Sequence, residues 1–306
     1  MQLPSALRTP VVADAALVVT WSSGFIGAEL SSRAGADPLT LLAWRFLLLA
    51  LLLVVVCRAL RMPWPQWSSW RRQSVVGVLC QPAYLLLVFE GVAHGVPGGT
   101  AALIAALQPL LVATVAGRLL GDPTTLRMWV GMAVGLAGVA IVVSGDLSTS
   151  GTAWWAYLLP MAGMLCLTVG TVLDRHLGPP GGVLQTIMIQ AVITAVLLVV
   201  LAVIFGSATV PTEADFWRAV LWLIALASLG GYAMYVHVGR TQGATVVSTL
   251  LYLTPPTTMV WAFLMFGVPL TLVAVAGLAV SAVGVLLVLR GRHVRQREPV
   301  ASLRRT

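Results

Sequence analysis

Apolar residues in this chain arrive in long unbroken blocks, each closed by glycine, proline or charge. Ten blocks can be marked, at residues 11–31, 39–57, 74–94, 98–119, 126–144, 153–173, 183–205, 216–238, 243–265 and 270–289. None shows the two-residue alternation of a barrel strand. Wound as a helix rising about 1.5 Å per residue, roughly 20 residues span the ~30 Å hydrocarbon layer of a bilayer. In hydrocarbon a segment has to satisfy its own backbone amides, which selects helix over open strand. The pattern predicts an all-α membrane protein with ten transmembrane helices.

Laid side by side, the blocks repeat. The segment beginning GVPGGTAALIAALQPLLV at Gly95 aligns without a gap against TQGATVVSTLLYLTPPTT at Thr241, an offset of 146 residues. Pro109 then meets Pro255, Gly131 meets Gly277 and Gly138 meets Gly284. Upstream, an offset of 145 places WRFLLLALLLVV over IQAVITAVLLVV, so that Arg45 meets Gln190. Five blocks per copy is an odd number, so the second copy has to enter the membrane upside down. The expected architecture is two inverted five-helix repeats, residues 11–144 and 153–289, followed by a basic tail at 290–306, with a solute site near the midplane between the halves.

Composition agrees with a bilayer environment. Hydrophobic residues make up 59% of the 306, charged residues only 9%, and mean hydropathy is +0.95. A soluble domain of this make-up would expose large apolar patches. The net charge of +8 comes from eighteen arginines and no lysine. These are scattered between apolar blocks instead of forming a basic face, which excludes nucleic acid as a partner. With the N-terminus in the cytoplasm, fifteen arginines fall on the inner side, Arg33 and Arg218 on the outer, and Arg45 within a span. That bias predicts both termini inside, in the cytoplasmic membrane. The first apolar block reads as the first span and not as a cleaved leader, since nine comparable blocks follow it. Cys57, Cys80 and Cys166 are odd in number, widely spaced and set in apolar runs, so neither a disulfide framework, a metal site nor another cofactor is expected.

The succession WSSGFIGAEL, DPLTLLAWRFLL and GGTAALIAALQPLLVATVAGRLLGDPTTLRMWVGMAVGLAGVAIV resembles the drug/metabolite transporter superfamily, as an EamA-type member with two EamA repeats. The resemblance runs from about Ala13 to Leu289. It implies a ten-helix carrier, often an exporter of amino acids, other small metabolites or amphiphilic drugs.

Charged residues inside apolar blocks are the first place to look for chemistry, because burying a charge in a membrane costs at least about 2.5 kcal/mol near the centre. Arg45 lies seven residues into the second block, and its helical stripe of Leu41, Leu42, Leu48, Leu49 and Leu52 offers no partner. It either snorkels to headgroups, faces a cavity, or packs against another loop. Glu90 stands at similar depth in the third block with His94 four residues on, on one helical face. The pair suits proton coupling if it is desolvated within range of Arg45, and is an ordinary interfacial pair otherwise. Glu29 has Arg33 as an evident surface partner, and Asp14 reads as a helix-start or headgroup-level charge.

Uncharged polar stripes are the second resource. Thr186, Gln190 and Thr194 share a face of the seventh block, Ser228, Tyr232 and Tyr235 of the eighth, and Thr245, Ser248, Thr249 and Tyr252 of the ninth. Such faces meet either other helices or a wet cavity. Gln81 and Tyr84 lie opposite Glu90 on the third helix, so both sets are not expected to line one narrow cavity. Gln108 with Pro109, and Thr254 with Pro255, interrupt the fourth and ninth blocks at matched positions, as hinges or static kinks. Gly131 with Gly135, and Gly277 with Ser281, have the small-xxx-small spacing of close helix crossings, within a monomer or across a homodimer.

These features favour a secondary carrier of a small solute over an enzyme. Without lysine there is no phosphate-binding loop, HExxH and GxSxG are absent, and LLGD and VSGD lack the first glycine of the GxGD intramembrane protease pattern. A non-transporting membrane subunit or sensor is the remaining class.

Overall fold

The structure is a computed structural model that describes residues 10–112, 125–149, 151–177, 183–242 and 244–302. Every regular element among the described residues is helical. In chain order these are α1 (Pro10–Arg33), α2 (Pro38–Ala59), α3 (Trp67–Ala93), α4 (Gly98–Leu111), α5 (Leu126–Thr149), α6 (Leu158–Leu177, entered through the tight turn Trp154–Tyr157), α7 (Val183–Ile204), α8 (Ala214–Thr241), α9 (Ala244–Leu251 and, after a turn, Thr254–Phe266) and α10 (Leu272–Ser302). Eight of them contain a stretch long and apolar enough to cross a bilayer; the apolar parts of α4 and α10, Gly98–Leu111 and Leu272–Val288, are shorter. The far end of the predicted fourth span lies outside the described residues, and α10 carries the helix through the start of the basic tail.

Local sequence explains the boundaries. Asp37 accepts from the Thr40 amide at 2.8 Å and Pro38 takes the first helical position, which together start α2. Glu29 reaches from α1 to accept from the Gly98 amide at 3.1 Å, satisfying a free donor at the start of α4. Pro82 lacks an N–H, and around it Leu79–Ala83 forms a wide π-turn in α3. A second π stretch, Leu223–Gly230, lies in α8.

Irregularities recur at the spacing of the sequence repeat. The chain breaks at Ala106–Leu107 in α4 and at Tyr252–Leu253 in α9, 146 residues later. Each break is closed by the same short bond, Leu107 N to Ile104 O at 3.1 Å and Leu253 N to Leu250 O at 2.9 Å. Pro109 and Pro255 each stand second in the helix that follows. Helices α2 and α7 are both 22 residues long.

Helices that the repeat makes equivalent pack on each other in antiparallel fashion. Thr40 and Trp44 at the start of α2 donate to the Ser207 and Thr209 carbonyls beyond the end of α7, at 2.7 and 2.8 Å, while Gln185 at the start of α7 donates to the Pro63 carbonyl beyond the end of α2, at 2.7 Å. Between α5 and α10 the seam is closed by glycines. A Cβ at Gly138 would fall 2.6 Å from the Gly277 carbonyl oxygen, and one at Gly277 would fall 2.7 Å from that of Gly138. Ser281, the counterpart of Gly135, donates to the Gly135 carbonyl at 3.2 Å. The small-residue stripes are thus used within the chain, where lipid offers no hydrophobic drive and close van der Waals contact holds helices together. The main core lies where α2 and α7 meet α3 and α8, around Leu41, Leu42, Phe46, Met188, Leu198 and Leu223.

Candidate solute cavity

Inside the bundle is a cavity of about 420 Å³. Its walls come from both copies of the repeat: Trp21 on α1, Arg45 on α2, Cys80, Gln81 and Tyr84 on α3, Gln108 and Pro109 on α4, Thr171 and Asp174 on α6, Gln190 on α7, Tyr232 and Tyr235 on α8, Tyr252 and Thr254 on α9. The volume falls in the range of small-molecule sites, with an apolar wall and a few convergent polar groups.

Arg45 is 6% exposed and points inward. Its Nε and Nη2 donate to Ser228 Oγ at 3.3 and 3.0 Å, and Nη1 is buried without a partner. Of the three placements the sequence left open, the observed one is the cavity wall. The acceptor is delivered by the π stretch of α8, 183 residues away in the chain. The π-turn of α3 delivers Gln81 to the same cavity. Widened turns point side chains where a regular helix would turn them away.

From there a ladder of amides runs toward the opposite end of the bundle. Gln81 Nε2 donates to the Tyr232 hydroxyl oxygen and, at 3.5 Å, to Gln190 Oε1. Gln190 Nε2 donates to Gln73 Oε1 at 2.6 Å, and Gln73 Nε2 to Asp174 Oδ1 at 3.3 Å. Gln108 Nε2 donates to Thr171 Oγ1 at 3.0 Å beside it. Trp21 stacks on Tyr235 with ring centroids 5.4 Å apart and meets Tyr232 edge-on at 6.5 Å.

Glu90 and His94 lie elsewhere. They form a contact of 3.7 Å with side chains 31% and 46% exposed, and the His94 ring packs edge-on against Trp155 at 5.0 Å. Of the two settings the sequence left open for Glu90, its contact is with His94, while Gln81 and Tyr84, on the opposite face of α3, line the cavity. The carboxylate on the cavity wall is instead Asp174. At the Glu90 end the helices are bonded to one another. Glu29 bonds both Arg33, at 3.2 Å, and the Gly98 amide; Ser32 donates to the Val92 carbonyl at 3.3 Å; and the Arg33 guanidinium lies 4.5 Å over the Phe266 ring. Asp14, at the opposite end, accepts from Gln242 at 2.6 Å.

Of the other residues singled out in the sequence, Gln108, Pro109, Gln190, Tyr232, Tyr235 and Tyr252 are gathered on the wall with Arg45, while Pro255 is represented there by its neighbour Thr254. The side chain of Ser248 lies outside the described part of the structure. Trp21, Gln73, Thr171 and Asp174 went unremarked. Their signal was helical spacing: Leu167, Thr171 and Asp174 form one stripe of α6, and Gln73, Cys80, Gln81 and Tyr84 form one of α3.

Comparison with known proteins decides the family. The model of the EamA-like transporter family matches residues 11–144 and again residues 154–290. The chain belongs to the EamA-like transporter family. Membership makes it a membrane transporter of the drug/metabolite superfamily, built from two EamA repeats. Among curated EamA relatives it is 25% identical over 289 residues to the uncharacterized inner membrane transporter YedA of Escherichia coli (strain K12), covering 94% of this chain and 92% of that one. It is 28% identical over 295 residues to the probable terminal-alkyne amino-acid exporter of Streptantibioticus cattleyicolor, covering 94% and 96%. A solved crystal structure shares the fold at a TM-score of 0.65 and 18% identity, over 93% of this chain and 97% of the other.

Proposed function

We propose that this protein is a secondary active transporter that exports a small amino-acid-like or amphiphilic metabolite by alternating access. The observation that carries the reading is the cavity between the two copies of the repeat, walled by both and carrying a few convergent polar groups, with the helices bonded to one another at the Glu90 end. The antiparallel packing of equivalent helices, α2 on α7 and α5 on α10, supports two five-helix halves of opposite orientation, with ten spans in all. Residues 11–144 and 153–289 are the two halves. The breaks in α4 and α9 are the hinges about which they rock, since a helix without continuous backbone bonds bends there at least cost.

Both termini are cytoplasmic in this reading. The two arginines that fall on the opposite side are both paired, Arg33 with Glu29 at 3.2 Å and Arg218 with Asp215 at 2.5 Å, which agrees with a side depleted of free positive charge. The conformation is then inward-facing, with Asp174 toward the cytoplasm. The name of the Streptantibioticus relative favours export of an amino-acid-like cargo. Reconstitution into liposomes preloaded with a panel of amino acids, aryl acids and cationic dyes tests the reading. Saturable efflux of at least one class under an imposed ion or solute gradient is expected, and leakage no faster than protein-free liposomes for every class contradicts it.

A further inference from the structure

The cavity is short of acceptors at one place. Arg45 offers five N–H donors, and Ser228 Oγ, which receives two of them, is its one hydrogen-bonding partner among the described residues. Nη1 is buried and unpartnered in a residue that is only 6% exposed and lies on the cavity wall. The Tyr232 hydroxyl, on the same wall, already accepts from Gln81, so its own proton is available to an acceptor. The carboxylate on the wall, Asp174, is held by Gln73 at the far end of the amide ladder. A buried cation with unspent donors is costly unless something completes it, and breaking or leaving such a charge uncompensated costs several kcal/mol.

We propose that the solute is a small organic monoanion whose carboxylate binds Arg45 Nη1 and the Tyr232 hydroxyl, with its apolar or aromatic body against Trp21 and Tyr235. Arg45 is suited to this because its planar fork pairs with carboxylate geometry and keeps its charge in a dry site. The stacked Trp21–Tyr235 pair, at 5.4 Å, supplies a flat apolar face on the same wall. The ladder gives this site its polarity. Each amide donates toward Asp174, and Gln81 also donates the other way, to the Tyr232 oxygen, so that oxygen is used as an acceptor and its hydrogen is left for the solute. The proposal deepens the transport reading and rests on it for the direction of movement, but not for binding.

The test uses the full-length protein in detergent and in proteoliposomes with three probes of one shape: 3-phenylpropionate, its neutral amide, and 3-phenylpropylamine. Ligand-dependent thermal stabilisation should favour the carboxylate over the other two. Arg45→Gln should weaken carboxylate binding by on the order of 10- to 100-fold and leave amide binding unchanged. Tyr232→Phe, which removes a single oxygen, should weaken it by about 3- to 10-fold. The unliganded melting temperature of Arg45→Gln should match or exceed that of the parent, since a purely structural arginine would lower it. No Arg45-dependent preference for the carboxylate over the amide overturns the proposal, as does an amine that binds the parent best. Carboxylate binding without flux would leave the anion site standing and remove the transport reading; flux of neutral or cationic solutes alone would do the reverse.

Discussion

Arg45 and Glu90 carry the two charges that sequence places at similar depth in neighbouring apolar blocks, and the fold sends them to opposite fates. Arg45 is 6% exposed, bonded across the bundle to Ser228 and set into the cavity. Glu90 keeps a side chain 31% exposed, in contact with its own helix neighbour His94, and is not on the cavity wall. Distance along a helix does not decide whether a charge in a membrane protein is functional. The face does, and the face is set by neighbours distant in the chain. A guanidinium aimed inward has to be completed by protein or solute, whereas a carboxylate at the rim is completed by water and an imidazole at a net worth of about 0–1 kcal/mol.

Four changes break or sharpen this contrast. The largest effect is expected away from both charges, at Gly138→Leu in the α5–α10 seam. A side chain there has no room 2.6 Å from the Gly277 carbonyl, so the variant should lose at least ~3 kcal/mol of stability or fail to accumulate, read as monodisperse yield in detergent. Next comes Arg45→Gln, for which flux in proteoliposomes should fall at least about 10-fold with undiminished thermal stability. Gln190→Leu severs the ladder on both sides and leaves the amides of Gln73 and Gln81 each short of a partner. It should cost about 1–3 kcal/mol in thermal unfolding and reduce flux several-fold. The smallest effect belongs to Glu90→Gln. Flux should stay within about 2-fold of the parent, with its pH profile unshifted, because a partly exposed pair outside the cavity contributes little. A flattened pH profile in this variant would return proton coupling to Glu90 and erase the contrast.

The sequence carried the periodic part of this architecture and missed the part that depends on tertiary neighbours. Proline spacing located the breaks of α4 and α9 because a missing N–H acts locally, and the glycine spacing located the α5–α10 seam because only small residues allow backbones so close. Stripes containing Gln190, Tyr232 and Tyr235 marked faces that meet either other helices or a wet cavity, because polar groups in oil have to meet something wet or polar. The partner of Arg45 was not legible, since Ser228 is reached only through the folding of α8 over α2. Asp174 and Gln73 escaped because polar residues near helix ends look like interface residues, and only the ladder linking them to Gln190 shows otherwise.

Two halves of opposite orientation that rock about a shared cavity are tested most directly by thiol accessibility at a small residue of its wall. Ala105 lies on that wall beside the α4 break. In a variant with Cys57, Cys80 and Cys166 replaced and Ala105→Cys introduced, a membrane-impermeant thiol reagent should label the protein in vesicles of either orientation. A solute gradient should raise the labelling rate on one side while lowering it on the other. Labelling from one side alone, at a rate no solute changes, would contradict the account.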